Sequence, residues 1–143
     1  MVDIDANIKY NGYCSGSKLQ QVFFNILKNG AEAMIEKKYE SYEPRFIIRY
    51  YHDNSKAVME FEDNGPGIEE EECRFIFDPF FTTKKQGSGL GLAAVHRIVD
   101  LHGGWIKVES QLQQGTRFVV CMPRSGDDGV RLWHEGRTPW KRS

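Results

Sequence analysis

Ala57-Val58-Met59-Glu60-Phe61-Glu62-Asp63, followed at once by Asn64-Gly65-Pro66-Gly67, is the stretch on which the reading of this chain turns. Strand side chains alternate sides, so Val58, Glu60 and Glu62 share one face while Met59, Phe61 and Asp63 share the other. Asp63 therefore points toward the core. A carboxylate there is unfavourable unless hydrogen-bond donors meet it, and Gly65 and Gly67 would let a ligand come close to the main chain. Together these features suggest a pocket for a donor-bearing ligand. The plainer reading is a strand that ends in a turn, with Asp63 and Asn64 as ordinary turn residues; sequence further along decides between the two.

Outward from this stretch, Phe46 to Tyr51 forms a second strand, joined to the first through Asp53-Asn54-Ser55 as a hairpin. Ile4, Ala6, Ile8 and Tyr10 alternate with polar residues and predict a half-buried edge strand that stops at Asn11-Gly12. Ser17-Lys18-Leu19-Gln20 reads as a capping box opening a helix to about Lys37, with Leu19, Val22, Phe23, Ile26, Gly30 and Ala33 at helical spacing. Glu40 to Pro44 is linker-like. Glu69 to Glu72 places four acids in a first helical turn, where the macrodipole favours negative charge. Phe77 to Ser88 has no apolar period and is a loop. From Gly91 a helix runs through Leu92, Val95, Ile98, Val99 and Leu101 and stops at His102-Gly103-Gly104. Strands Trp105 to Ser110 and Thr116 to Met122 follow, with Gln111 to Gly115 turning between them.

A chain of 143 residues fits one domain. The domain is assigned to 1–123 and 124–143 is read as a poorly ordered extension, native or appended. Nineteen basic and twenty acidic side chains give a formal net charge of -1, which is not the footprint of a nucleic-acid binder. Cys14, Cys73 and Cys121 are too widely spaced for a metal knuckle or redox pair and read as reduced thiols. The first residues lack signal-peptide character, and no apolar run approaches the ~20 residues that span a bilayer, so a cytoplasmic segment without membrane contact is expected.

Asn25 and Asn29 are one helical turn apart beside an apolar stripe. Amide oxygens are hard ligands suited to magnesium, which completes its shell with water and substrate phosphates; capping or facing solvent is the plainer role for such a pair. Asparagine and Gly30 are both poor interior residues for a helix, which suits a site. Gly87-Ser88-Gly89-Leu90-Gly91 opens the second helix and offers backbone N–H groups and the positive end of a dipole to phosphate. The match Gly89-x-Gly91-x-x-Ala94 to a dinucleotide fingerprint is rejected, because no hydrophobic strand precedes it. No Walker lysine follows the glycines. Lys84 and Lys85 stand where they could reach a triphosphate or simply face solvent. His52, His96 and His102 are scattered and show no metal spacing.

Gln21 to Met34, Asp63 to Ile68, Phe75 to Lys84 and Gly87 to Leu92 resemble, in order, the N, G1, F and G2 boxes of sensor histidine kinases. Gly115-Thr116-x-Phe118 with Met122-Pro123 resembles the closing strand of the same ATP-binding domain. The phrase Ile76 to Lys84 is most similar to the nitrogen-regulation and dicarboxylate-sensing branch. The resemblance implies a two-layer α/β sandwich of the Bergerat type, with a mixed sheet and helices on one face. It also implies ATP and magnesium as cofactors. Asp63 would accept from the adenine amine with Thr116 in support, and Gly65 and Gly67 would let the purine approach. Asn29 would ligate magnesium and Asn25 would line the same site. Gly87, Gly89, Gly91 and Leu92 would enclose the phosphates in a lid anchored by Phe80 and Phe81, and Lys84 would touch phosphate. Gly30 departs from the more usual alanine, which bears on helix rigidity.

The same resemblance implies a kinase whose nucleophile is a histidine of a phosphoacceptor (dimerisation) domain, in cis or in trans, with a response regulator downstream. The segment would act alone or as the cytoplasmic portion of a larger membrane-bound sensor. Related hydrolases carry a glutamate four residues before the magnesium asparagine; here that position is Asn25, and an amide is no base. Glu32 lies near enough to keep a stand-alone ATPase as the alternative, beside a non-catalytic ATP-responsive module. His134-Glu135-Gly136-Arg137-Thr138-Pro139 resembles the phosphoacceptor box itself, but it follows the domain, and Gly136 and Pro139 oppose the helix that box requires.

Overall fold

The structure is a computed structural model that describes residues 2–4, 16–53, 55–82 and 89–123. Five strands form one mixed sheet: β1 (Val2–Ile4), β2 (Phe46–His52), β3 (Lys56–Asp63), β4 (Trp105–Gln111) and β5 (Gly115–Pro123), in the order β1-β2-β3-β5-β4. β1 and β4 are the edge strands, and β1 runs parallel to β2 while the other pairings are antiparallel. Helices α1 (Gly16–Glu36) and α3 (Gly91–Leu101) are its long helices, and α2 (Glu70–Cys73) is a single turn carrying Glu70, Glu71 and Glu72 at its start.

The alternation along β3 came out as the sequence requires. Ala57, Met59, Phe61 and Asp63 are buried, and Val58, Glu60 and Glu62 are not. Register carries that face across the sheet: Phe61 stands between Ile48 and Phe118, and Met59 between Tyr50 and Val120. Onto this apolar surface α1 lays Val22 and Ile26, and α3 lays Val95, Ile98 and Val99, closing one core between two layers. The opposite face is charged. Arg49 pairs with Glu60 and Glu62, and Arg117 with Glu60 and Glu109, in a ladder of part-exposed ions. Each such pair contributes about 0–1 kcal/mol, so the ladder keeps this face wet more than it stabilises the fold.

Local signals set the boundaries. Asp53 Oδ1 accepts from the N–H groups of Ser55 (2.8 Å) and Lys56 (2.9 Å), which turns β2 into β3. Gly103, at φ +74°, takes the left-handed conformation that ends α3. α1 opens at Gly16, so Ser17 lies inside its first turn instead of preceding it, and the helix ends at Glu36. The expected strand to Tyr10 is described only over Val2–Ile4, and the 124–143 extension with His134 lies outside the described residues.

Candidate functional site

At one end of the core the apolar rows of the sheet give way to a polar one. Register sets Thr116 of β5 between Asp63 of β3 and Ser110 of β4. Asp63 is 5% exposed and Thr116 6%. The Asp63 carboxylate accepts from the Gly65 N–H at 2.9 Å and from the Thr116 N–H. Burial pushes its pKa up from 3.8; those two hydrogen bonds and the positive charge of Lys37 pull the other way, while Glu62 adds to the rise. Helix α1 passes directly over this carboxylate. A Cβ on Gly30 would stand 2.5 Å from the Phe46 ring and 3.4 Å from Asp63 Oδ2, so the missing side chain at Gly30 is a packing requirement.

The turn after Asp63 is held from several sides. Lys37 Nζ donates to the carbonyls of Asn64 (3.1 Å), Gly65 (3.1 Å) and Gln113 (2.8 Å), and lies over the rings of Tyr39 and Tyr42. The Tyr39 hydroxyl donates to Asn64 O, and the Asn64 amide bridges Glu43 O and Arg45 N–H. On the other side the Gln113 N–H donates to Pro66 O (2.6 Å) and the Ile68 N–H to Ser110 Oγ (2.8 Å). Gly67, at φ +76°, would place a Cβ 2.3 Å from Gln111 O; Gly115, at φ +129°, would place one 1.9 Å from Asp63 O. The β4–β5 hairpin is thus sufficient reason for glycine at 67. Gly65 stays against Asp63, where a Cβ would meet Oδ1 at 2.8 Å.

Lys37, Tyr39, Ser110 and Gln113 are residues of this assembly that sequence reasoning did not single out, whereas Gly115 enters there only as part of the closing-strand motif. Their partners lie 27 to 76 residues away for Lys37 and 42 for the Ser110–Ile68 bond. A lysine past a helix end and a serine in a strand carry no mark of such contacts. The positive φ of Gly115 could have been read as well, because a glycine opening a strand after a turn suggests it.

The remaining predicted site residues that are described lie on the two long helices and at Gly89. The Asn25 side-chain N–H donates to Gly91 O at 3.2 Å, joining α1 to the first turn of α3, and Asn29 follows one turn along α1. Gly89, at φ +73°, lies against Phe80: the Phe80 N–H donates to Gly89 O at 3.0 Å, and a Cβ on Gly89 would stand 2.3 Å from the Phe80 carbonyl carbon. Phe81 packs against the core, as does Leu92. Phe80 does not: its ring is 75% exposed, and its backbone, held at φ 70°, makes the anchoring bond. Of the two residues expected to anchor the lid, Phe81 contributes a packed ring and Phe80 a backbone bond with its side chain exposed. Lys84 and Gly87 lie outside the described residues.

A cavity of about 300 Å³ opens at the polar row and is lined by Asp63, Ser110, Gln111, Gly115 and Thr116, with Glu62, Glu109 and Arg117 at the charged side of the sheet. Neither asparagine lines it. The buried acceptor row at the cavity and the junction where Asn25 meets Gly91 are thus two separate polar features of the domain.

Comparison with known proteins agrees with this geometry. Residues 14–126 match the family described as histidine kinase-, DNA gyrase B-, and HSP90-like ATPase. Among relatives, the sensory histidine kinase/phosphatase NtrB of Rhizobium leguminosarum bv. phaseoli is 40% identical over 125 residues, 80% of this chain and 32% of that protein. Sporulation kinase D of Bacillus subtilis is 38% identical over 112 residues, 78% of this chain and 21% of its own length. Among solved structures, the mycobacterial sensor histidine kinase MprB superposes with a TM-score of 0.66 at 30% identity, covering 78% of this chain and 76% of that one. The chain belongs to the histidine kinase-, DNA gyrase B- and HSP90-like ATPase family, and is a histidine kinase-type ATPase domain of the two-component sensor kinases. The nitrogen-regulation branch suggested by Ile76 to Lys84 is represented among its relatives by NtrB. It spans about a fifth to a third of the length of these two curated relatives.

Proposed function

We propose that this domain binds Mg-ATP and donates the γ-phosphate to a histidine on a phosphoacceptor module, in cis or in trans, within a two-component pathway that continues to a response regulator. The observation that carries the proposal is Asp63: a carboxylate buried on the core face, held by two backbone N–H groups, at the rim of a cavity. An acceptor so placed suits a ligand that brings a donor, and the exocyclic amine of adenine is one.

The donor set at the far end suits the remainder of the nucleotide. Asn29 would ligate magnesium; with the Asn25 N–H given to Gly91 O, the Asn25 side-chain oxygen remains as a second hard acceptor. Bound there, magnesium would neutralise charge on the β- and γ-phosphates. The chain's own contribution would be positioning: N–H groups of Gly89, Gly91 and the start of α3 would meet the phosphates, and Leu92 seats that start on the core; Gly87 and Lys84, outside the described residues, are assigned to the same phosphates by the family resemblance alone. The histidine nitrogen then bonds to the γ-phosphorus as the bond to the β,γ-bridging oxygen breaks, leaving ADP. Asn25 in place of a glutamate favours a histidine acceptor over water, and Glu32 is paired with Lys28 at 3.9 Å. No helix among the described residues is long and apolar enough to cross a membrane; we place the domain in the cytoplasm, on its own or as the cytoplasmic part of a membrane-bound sensor.

The test is incubation with γ-labelled ATP and magnesium, with and without a supplied phosphoacceptor hairpin from a related kinase. Label on the hairpin histidine, lost with Asn29→Ala, is the expected result. Rapid phosphate release without labelling would overturn the kinase reading in favour of an ATPase, and nucleotide binding with neither outcome would favour an ATP-responsive module.

A further inference from the structure

Ser110 Oγ sits among three polar partners. The Ile68 N–H donates to it at 2.8 Å, Gly115 O lies at 3.0 Å, and Thr116 Oγ1 at 2.8 Å. A serine hydroxyl has one hydrogen and two lone pairs. The Ile68 bond occupies one lone pair. A carbonyl has no hydrogen to give, so the Ser110 hydrogen must lie toward Gly115 O; otherwise two acceptors would face each other at 3.0 Å. The contact with Thr116 then needs its hydrogen from Thr116. This assignment alone puts a hydrogen in every contact.

The consequence falls on the neighbouring strand. Thr116 spends its hydroxyl hydrogen on Ser110, so toward the cavity it can only accept. It is 6% exposed, stands beside Asp63 in the register and lines the same cavity. Two adjacent groups of the pocket then accept and neither donates. We propose that Ser110 is a specificity-determining residue: by fixing Thr116 as an acceptor it makes the pocket select a purine with an amino group at position 6 over one with a carbonyl oxygen there. Ser110 acts through Thr116 and is a positioning residue. The inference rests on the reading of Asp63 as the base-recognition carboxylate.

The experiment is calorimetric titration of wild type, Ser110→Ala and Ser110→Thr with non-hydrolysable adenosine and inosine triphosphate analogues in magnesium. Wild type should prefer the adenosine analogue. In Ser110→Ala the Thr116 hydroxyl is free to turn and donate to a 6-oxo group, so the preference should shrink about tenfold, whereas Ser110→Thr, which keeps the hydroxyl, should retain it. A purely structural role would weaken both analogues equally, and a wild-type ratio in folded Ser110→Ala would overturn the proposal. Should Ser110→Ala fail to fold, Ser110→Cys gives the same readout, because sulfur is a poor acceptor for the Thr116 hydrogen; an unchanged ratio there overturns it equally. Wild-type affinity for both analogues in Asp63→Asn would instead remove the nucleotide reading on which this one stands.

Discussion

The turn after Asp63 and the junction of Phe80 and Phe81 with Gly89 are held by different means. Asn64 to Ile68 is clamped by Lys37, Tyr39, Gln113 and Ser110, and the close approaches of Gly67 and Gly115 leave its backbone no slack. At the junction, the Phe80 N–H bonds to Gly89 O and Phe81 packs on the core. The turn is also part of the core, because a carboxylate there must have its donors before any ligand arrives. The difference teaches where each kind of recognition belongs: a base edge with a fixed donor pattern is met by a preformed acceptor, and a charged triphosphate by glycine backbone and helix N-termini.

Substitutions at the glycines should separate the two regions most sharply. In Gly115→Ala a Cβ would enter the Asp63 carbonyl at a φ that alanine resists, so a loss of about 3 kcal/mol or more is expected, read as a fall in Tm of roughly 10 °C. A melting curve like that of wild type would break the claim that the turn is part of the core. Lys37→Met removes three hydrogen bonds from one ammonium group, and about 2 kcal/mol of stability should go with them; equilibrium unfolding in urea measures it, with a smaller loss pointing to carbonyls that find water instead.

Asp63 sharpens the comparison through pH. Its folded pKa is raised, so the stability it contributes is full below its ordinary pKa of 3.8 and is lost as pH rises through the raised value. Once ionised above that raised value the carboxylate opposes folding, so ligand-free Asp63→Asn should gain on wild type as the pH rises through it, the advantage shrinking as the pH is lowered toward 3.8. Thermal melts from pH 4 to 8 decide this, and an advantage that instead grows toward acid would reverse the sign. The smallest effect on stability belongs to the lid. Gly89→Ala is as crowded as Gly115→Ala, yet the atoms it meets are the Phe80 and Phe81 backbone and not the sheet, so Tm should change by under about 3 °C while affinity for the triphosphate falls; a collapse in Tm would erase the distinction between the regions.

Much of this was open to reading because it rests on alternation and order. Met59, Phe61 and Asp63 share a face by strand geometry alone, and Val95, Ile98 and Val99 by helix geometry, which sufficed for two layers and for a carboxylate inside them. What stayed hidden depends on distance in the chain. The Lys37 clamp closes over 27 to 76 residues, and the Ser110 relay needs β4, β5 and the turn to be assembled first. Phe80 misled because an aromatic beside Phe81 reads as a second anchor, whereas its backbone conformation turns the ring outward. Gly67 has a sufficient reason in the hairpin behind it, which a motif of glycines after an aspartate does not disclose.

The central claim is that the buried Asp63 carboxylate receives the amine of an adenine nucleotide. Calorimetric titration of wild type and Asp63→Asn with a non-hydrolysable ATP analogue in magnesium addresses it most directly. Asparagine turns a donor toward that amine, so affinity should fall ten- to hundredfold, about 1–3 kcal/mol, in a variant that remains folded. Equal affinity in the two proteins would contradict the claim.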